Sequence, residues 1–467
     1  MSEINKPEIN KPEIVVLDAI MGNGKTKKIK GLMCMDARPI IYITPLLEEA
    51  STVVGAIVDD TGRHQKDDSG YYMYDNKNIL AHKSFMLPSN RNNNGSKLDN
   101  IKALVSDGCN IASTHQLFSM LDFEVIEEIK KHKYILVVDE SLNVWNNLNI
   151  YEHFTNEDKS HKQDIEEEKD DLGVGTQTDK DIQTLIKNGF IEVDPVGLLH
   201  WQDDKFPDAE KTFYRKVKKL CDLKQLYLSN GRVVFWELNH TVLSAFSKVI
   251  VGTYMFEHSF MSHYLDVHSF KYTIEKFGNK PSFYKDLINI EQGKLNAIGE
   301  KDFSLSYSDL CVKKYAKENH PKEVLRKNLD NFMKNKCKSS SGDRIWTCFK
   351  KVTPIIAQRR YTNDWIAYNT KATNNYRFVK NVAYLCNNFP NTFLVSMVSK
   401  RNTRKFDDDM WALQEMLQYI FRSRLRGNEE VKNLEDRKIN LYIPSKRMRG
   451  LIESWLNDEF EEKCNEN

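Results

Sequence analysis

The eight residues Ala19-Ile20-Met21-Gly22-Asn23-Gly24-Lys25-Thr26, directly after the apolar residues 14–17, constrain this chain more than any other stretch. They read as a strand feeding a phosphate-binding loop. Such a loop needs small residues, here Gly22 and Gly24, so that its backbone N–H groups can turn inward, and a following helix whose positive end faces an anion. In that arrangement Lys25 reaches the β and γ phosphates of a nucleoside triphosphate, and the Thr26 hydroxyl ligates Mg²⁺. Ala19 stands where the commoner pattern has Gly. The motif predicts a helix over 25–35.

Composition bounds the rest. A chain of 467 residues is long enough for two or three domains. No run approaches the roughly 18 apolar residues of a membrane span, and residues 1–13 lack the apolar centre of a secretory signal. Those thirteen residues hold a tandem duplication, 4–8 repeated as 9–13, and read as a disordered leader. The eight cysteines include no Cys-x-x-Cys pair, which points to reduced thiols in a cytoplasmic compartment and away from disulfides or a zinc site. A net charge of +2 does not announce a nucleic-acid partner, but residues 313–360 hold fourteen Lys or Arg against four acidic residues. That surplus suits either a phosphate backbone or a solvated helical face. Residues 152–171 carry nine acidic residues and read as an exposed insertion.

The first half alternates strands and helices. After the helix, residues 39–43 read as a strand ending in Thr44-Pro45, and 110–112 as another ending in Ser113-Thr114-His115-Gln116. Residues 134–138, Tyr-Ile-Leu-Val-Val, read as a buried strand tipped by Asp139-Glu140. Strands joined by helices imply a parallel sheet whose carboxyl ends gather ligands. An acidic residue at such a tip, Asp139, can hold hydrated Mg²⁺, and the neighbouring Glu140 can polarise an attacking water. His115 reads as a core or capping histidine or as a contact to a nucleic-acid backbone; its place beside Thr114 favours the contact. A helix over 209–220 and a hairpin at Ser229-Asn230-Gly231 suggest an inserted subdomain. Residues 247–252 read as a further strand ending in Thr253-Tyr254.

In the second half, residues 364–369 read as strand-like and run into Thr370-Lys371-Ala372-Thr373-Asn374-Asn375-Tyr376-Arg377. Residues 414–425 have helical periodicity, and Gln418, Arg422 and Arg426, four apart, are expected to share one helix face. Paired with a phosphate loop, they suggest guanidinium groups aimed across a cleft at a γ-phosphate.

Taken in order, these motifs resemble those of superfamily 2 DNA helicases, and most closely the DEAD/DEAH-like helicases encoded by bacteriophages. Residues 19–26 look like motif I, 43–45 like motif Ia, 113–115 like Ib and 139–142 like motif II. Gly252-Thr253-Tyr254 sits where motif III would be, and the blocks 369–376, 418–426 and 442–449 are similar to that phage family. The resemblance covers residues 14 to about 456. It implies an α/β fold of two RecA-like P-loop domains with parallel sheets: domain 1 over 14–260, with a helical or irregular insertion at about 151–245, and domain 2 over 261–467.

The same resemblance implies ATP and Mg²⁺ between the domains. Gly22, Gly24, Lys25, Thr26, Asp139 and Glu140 would come from the first, Gln418, Arg422 and Arg426 from the second. Thr44, Thr114, His115, Lys371, Thr373 and Asn374 would hold a single or branched DNA strand, RNA remaining open. The implied activity is ATP-driven unwinding or translocation in phage replication or recombination, alongside proteins of those processes in the host cytoplasm. The usual spacing of the last arginine motif falls on Leu425, so Arg424 and Arg426 both stand as finger, and Arg426 is favoured because it continues the 418/422 face. Two other functions stay open, an ATP-switched nucleic-acid-binding factor that does not unwind and a packaging-type ATPase.

Overall fold

In a computed structural model, residues 11–57, 83–89, 96–148, 177–205, 212–313, 320–370, 376–427 and 433–462 are described, with 65–67, 73, 75 and 315 besides. The first half builds β1 (Glu13–Asp18), β2 (Ile40–Thr44), β3 (Phe85–Met86), β4 (Asn110–Thr114) and β5 (Ile135–Asp139). All five residues of β2, Ile-Ile-Tyr-Ile-Thr, are buried. That pattern belongs to a strand covered on both faces, as parallel sheets require. An insertion then carries β6 (Trp145–Asn147), β7 (Ile191–Val193), β8 (Leu199–Trp201), β9 (Leu226–Ser229) and β10 (Val233–Glu237), with helices Gln177–Lys187 and Thr212–Asp222. β6, β10 and β9 form an antiparallel sheet, and β7 and β8 an antiparallel pair. Among the described residues the inserted segment thus adds short antiparallel strands to the expected helices, around a small core of its own that holds Ile182, Leu199, Val217 and Leu226. The acidic stretch 152–171 lies outside the described residues.

The chain returns to the first sheet as β11 (Lys248–Thr253) and β12 (Tyr272–Lys276). The strand order is β12-β1-β11-β5-β2-β4-β3, every pair parallel. β12 carries this sheet past residue 260. The expected leader contributes Glu13 to β1, beside β12, and Lys11 donates to the carbonyls of His268 and Ser269.

A second parallel sheet follows from β13 (Ile288–Ile290), β14 (Arg344–Thr347), β15 (Asn381–Tyr384) and β16 (Ile439–Tyr442), in the order β13-β16-β15-β14. The expected fold class, α/β with two parallel-sheet domains, is the one observed. Residues 364–369 are not a strand. Only Trp365 bridges, to Trp346, and the turn closed by Thr370 N–H on the Ala367 carbonyl ends the pairing at once.

Two exchanges knit the halves together. Helix Thr392–Arg401, between β15 and β16, buries Leu394, Met397 and Val398, with Phe406, in the core of the first domain. Arg404 fastens the same arm, donating to Asp266 Oδ2 at 2.9 Å, the Glu257 carbonyl at 2.6 Å and Ser262 Oγ at 2.9 Å. In the other direction Ile20, from the glycine-rich loop, is buried in the core of the second domain.

Candidate nucleotide-binding cleft

β1 ends at Asp18, and the loop is hung from the adjacent β11 by Ala19 N–H on the Thr253 carbonyl, 3.0 Å. Gly22 and Gly24 take left-handed backbone (φ 84° and 81°), which only glycine adopts without strain. Gly22 also has no room for a side chain, since a Cβ there would lie 2.4 Å from the Arg426 carbonyl oxygen. Helix Lys25–Met35 starts at Gly24 with no side chain capping its first N–H groups. Those donors, together with the helix dipole, make an anion site. Lys25 donates to the Ala19 carbonyl. Burial, and then the charge of Arg426, lowers its ammonium to about 8.

On the neighbouring strand end, Asp139 accepts from the Tyr42 hydroxyl at 3.1 Å, and withdrawal from water followed by the charge of Glu140 raises its pKa. Glu140 holds a left-handed backbone (φ 63°), pinned by its N–H on the Gly252 carbonyl at 2.9 Å. Non-glycine residues in that region are costly and cluster at functional sites. Its Oε2 is buried with no hydrogen-bond partner among the described residues. Ser141 donates to Thr253 Oγ1 at 3.1 Å, tying this strand end to β11.

The second domain closes over this wall. Helix Asp408–Ile420, capped by Asp407, carries half-buried Gln418 one turn before Arg422. The helix ends at Ile420, so Gln418, Arg422 and Arg426 do not share one continuous face. Ser423 caps a separate short turn, Arg424–Arg426, by accepting from Leu425 N–H. That break reorients the arginines. Arg422 is 6% exposed and packs on the Tyr419 ring, with Nη1 buried and unpartnered among the described residues. Burial lowers its pKa, and the charge of Glu140 pulls it back up. Arg426 lies against Gly22, and its charge acts on Lys25 and Asp139. Arg424 turns away, its Nε donating to the Lys438 carbonyl at 2.6 Å.

Several residues of this cleft were not among the expected site residues. Asp18 accepts from Met255 and Phe256 N–H at 2.9 Å each, holding the end of β11 to the loop. Asn23 donates to the Tyr284 hydroxyl at 2.9 Å and Gln414 to the Tyr254 carbonyl at 2.7 Å; both bonds bridge the domains. Arg437 holds the arginine turn by donating to the Leu425 carbonyl at 2.7 Å. Glu49, on helix Leu47–Val54, is raised to about 9 by burial and then by Asp139 and Glu140. Asp18 alone had a local signal, as the polar residue ending an apolar strand before the loop.

Of the residues expected to touch a strand, Thr44 and Thr114 are register partners at the carboxyl ends of β2 and β4. Their hydroxyls serve local backbone: Thr44 donates to the Leu46 carbonyl, and Thr114 accepts from Leu117 N–H. His115 is half-buried in the short helix that Thr114 caps. Lys371, Thr373 and Asn374 lie outside the described residues. Among the described residues no helix is long and apolar enough to cross a membrane.

Two domain models match the chain, the YonV C-terminal Rossmann-like domain over residues 282–456 and the YonV middle domain over 177–236. The chain is 27% identical over 473 residues to the SPbeta prophage-derived uncharacterized protein YonV of Bacillus subtilis (strain 168), covering 96% of this chain and 99% of that protein. Among solved structures it is similar to XPD in its apo form, at TM-score 0.47 and 11% identity over 96% of this chain and 95% of that chain. It is also similar to Xpd4 of S. tokodaii, at TM-score 0.47 and 12% identity over 95% and 94%. Along nearly its whole length, therefore, the chain is similar to a prophage-derived protein, and its last third to a Rossmann-like domain.

Proposed function

We propose that this chain is an ATP-dependent nucleic-acid helicase or translocase acting on DNA, with nucleotide turned over between its two sheets. The observation that carries this is the meeting of the two chain halves at one loop, with Arg426 against Gly22 and the charge of Glu140 acting on Arg422, the Nη1 of Arg422 and the Oε2 of Glu140 both lacking hydrogen-bond partners among the described residues. Two buried atoms of oppositely charged side chains, each without a hydrogen-bond partner among the described residues, suit a polar guest between them. Gly22, Gly24 and the first N–H groups of helix Lys25–Met35 bind phosphate oxygens, and Lys25 gives up the Ala19 carbonyl to join them. Glu140 orients and deprotonates the attacking water, while Arg422 and Arg426 meet the charge that grows on the transferred phosphoryl group. The exposed Thr26 hydroxyl and the Asp139 carboxylate are a hard oxygen set of the kind Mg²⁺ takes. That ion, when bound, neutralises phosphate charge. The similarity to the prophage-derived YonV protein supports a phage setting for this activity, and replication or recombination is the process it would serve there.

The test is hydrolysis measured in parallel without polynucleotide and with single-stranded DNA, duplex DNA and RNA. Stimulation by a strand is expected. Lys25→Ala should abolish it, and Arg422→Ala should leave ATP binding intact while slowing turnover by about 10³-fold. Normal turnover by both variants would overturn the assignment.

A further inference from the structure

The carboxyl ends of β15 and β16 carry a second feature, at the far end of helix Asp408–Ile420 from Arg422 and so roughly 20 Å from the nucleotide cleft. There Phe303, Phe389, Asn387, Lys301, Lys446 and Arg447 line a cavity of about 260 Å³. Phe303 is 66% exposed, an uncommon state for an aromatic ring of this size. Its ring stacks on Phe389 (centroids 5.7 Å apart, planes 29°), and the Arg447 guanidinium lies 4.1 Å from the Phe389 centroid. Arg447 is itself fixed by Asp409, by the side chain of Asn387 and by the carbonyl of Asn388.

Phe303 is not exposed through looseness. Its backbone is left-handed (φ 61°), as is that of Leu305 (φ 63°). The loop is held in that state by Leu305 N–H on Asp309 Oδ2, by Asn387 N–H on the Leu305 carbonyl and by Asn387 Nδ2 on the Ser304 carbonyl. The strained loop does two things at once, burying Leu305 in the core of the second domain and holding the Phe303 ring out in water, and strained positions of this kind cluster at ligand clamps. The rim carries Lys301, Lys446 and Arg447 against Asp302, with Asp409 paired to Arg447 behind it. A flat aromatic face beside cations, at the carboxyl ends of parallel strands, suits a base and its phosphates.

We propose that Phe303, backed by Phe389 and Arg447, is a stacking platform for a base of a single-stranded nucleic acid, whose phosphates are met by Lys301 and Lys446. This deepens the function proposed above and rests on it for the polynucleotide. The platform reads no sequence, because every base offers a π face. It gives the second domain a grip on bases, distinct in kind from the sugar-phosphate contacts expected at Thr44 and Thr114 in the first domain and at Lys371, Thr373 and Asn374 in the second.

The experiment measures binding of fluorescent DNA, RNA and abasic sugar-phosphate oligomers to the full-length protein and to Phe303→Ala and Phe303→Trp. Phe303→Ala should weaken binding of the base-bearing strand by roughly 5- to 100-fold and leave the abasic strand unaffected, while Phe303→Trp restores affinity. The DNA and RNA arms tell which strand the platform takes. Unchanged affinity of Phe303→Ala for base-bearing strands, or an equal loss on the abasic strand, would overturn the platform alone. Failure of the wild-type chain to bind any of the three would overturn the polynucleotide function beneath it.

Discussion

The two arginines that flank the expected finger position differ in what their side chains touch. Arg426 lies on the glycine loop, whereas Arg424 spends its Nε on the Lys438 carbonyl. Arg426→Ala should therefore lower turnover of ATP by about 10³-fold. Arg424→Ala should leave turnover close to wild type and lower the melting temperature, because the turn loses a tie. Steady-state hydrolysis and a thermal melt on the two variants check both halves of this. The sequence alone left the pair unresolved, since a helical extrapolation from Gln418 runs through a break that Ser423 imposes. The placement of Asp139 and Glu140 at the tip of an apolar strand was legible from the run before them, and that of Lys25 at the start of the first helix from the glycine spacing of its loop. Asn23, Glu49 and Gln414 were not, because their partners are distant in sequence and only the closed chain supplies them.

At the scale of elements, the joint between the insertion, the first domain and the arm is a single buried carboxylate. Glu237, 2% exposed at the end of β10, accepts from Trp145 Nε1 at 2.7 Å, from His268 Nε2 at 2.8 Å and from both terminal nitrogens of Arg401. Burial alone would raise its pKa, but the bonds from His268 and Arg401 outweigh that and hold it at about 2, against an ordinary 4.5. A depressed carboxylate stabilises the fold fully above the unfolded value, and that contribution drains away as pH falls from about 4.5 towards 2. Glu237→Gln should be less stable than wild type at pH 7 by about 3 kcal/mol, with the gap narrowing below pH 4. Chemical denaturation across pH measures it, and a gap constant with pH would refute the role. The strands and the first helix were readable from apolar runs and the loop. The hub was not, because a glutamate ending a strand looks like any surface residue until three other elements arrive.

For the whole molecule, the decisive fact is that the core of each domain is completed by residues of the other. Leu394, Met397, Val398 and Phe406 enter the first core, and Ile20 the second. Full burial of four such side chains contributes on the order of 6–12 kcal/mol, comparable with the stability of a whole domain. Residues 11–280 expressed alone should therefore be insoluble or molten, and co-expression with 281–467 should restore a soluble pair. Solubility and near-ultraviolet dichroism of the fragment decide it. An α/β fold with parallel sheets was legible from the two clusters of motifs, but the exchange was not, since helix Thr392–Arg401 has an ordinary amphipathic sequence that does not say whose core it covers.

The arm has a consequence for how such a gene can vary. Because one half carries the plug for the socket of the other, a recombination crossover between diverged relatives anywhere from residue 277 to 391 would join a foreign plug to a native socket. Viable hybrids should have their breakpoints outside that interval, so the two halves are inherited as one unit.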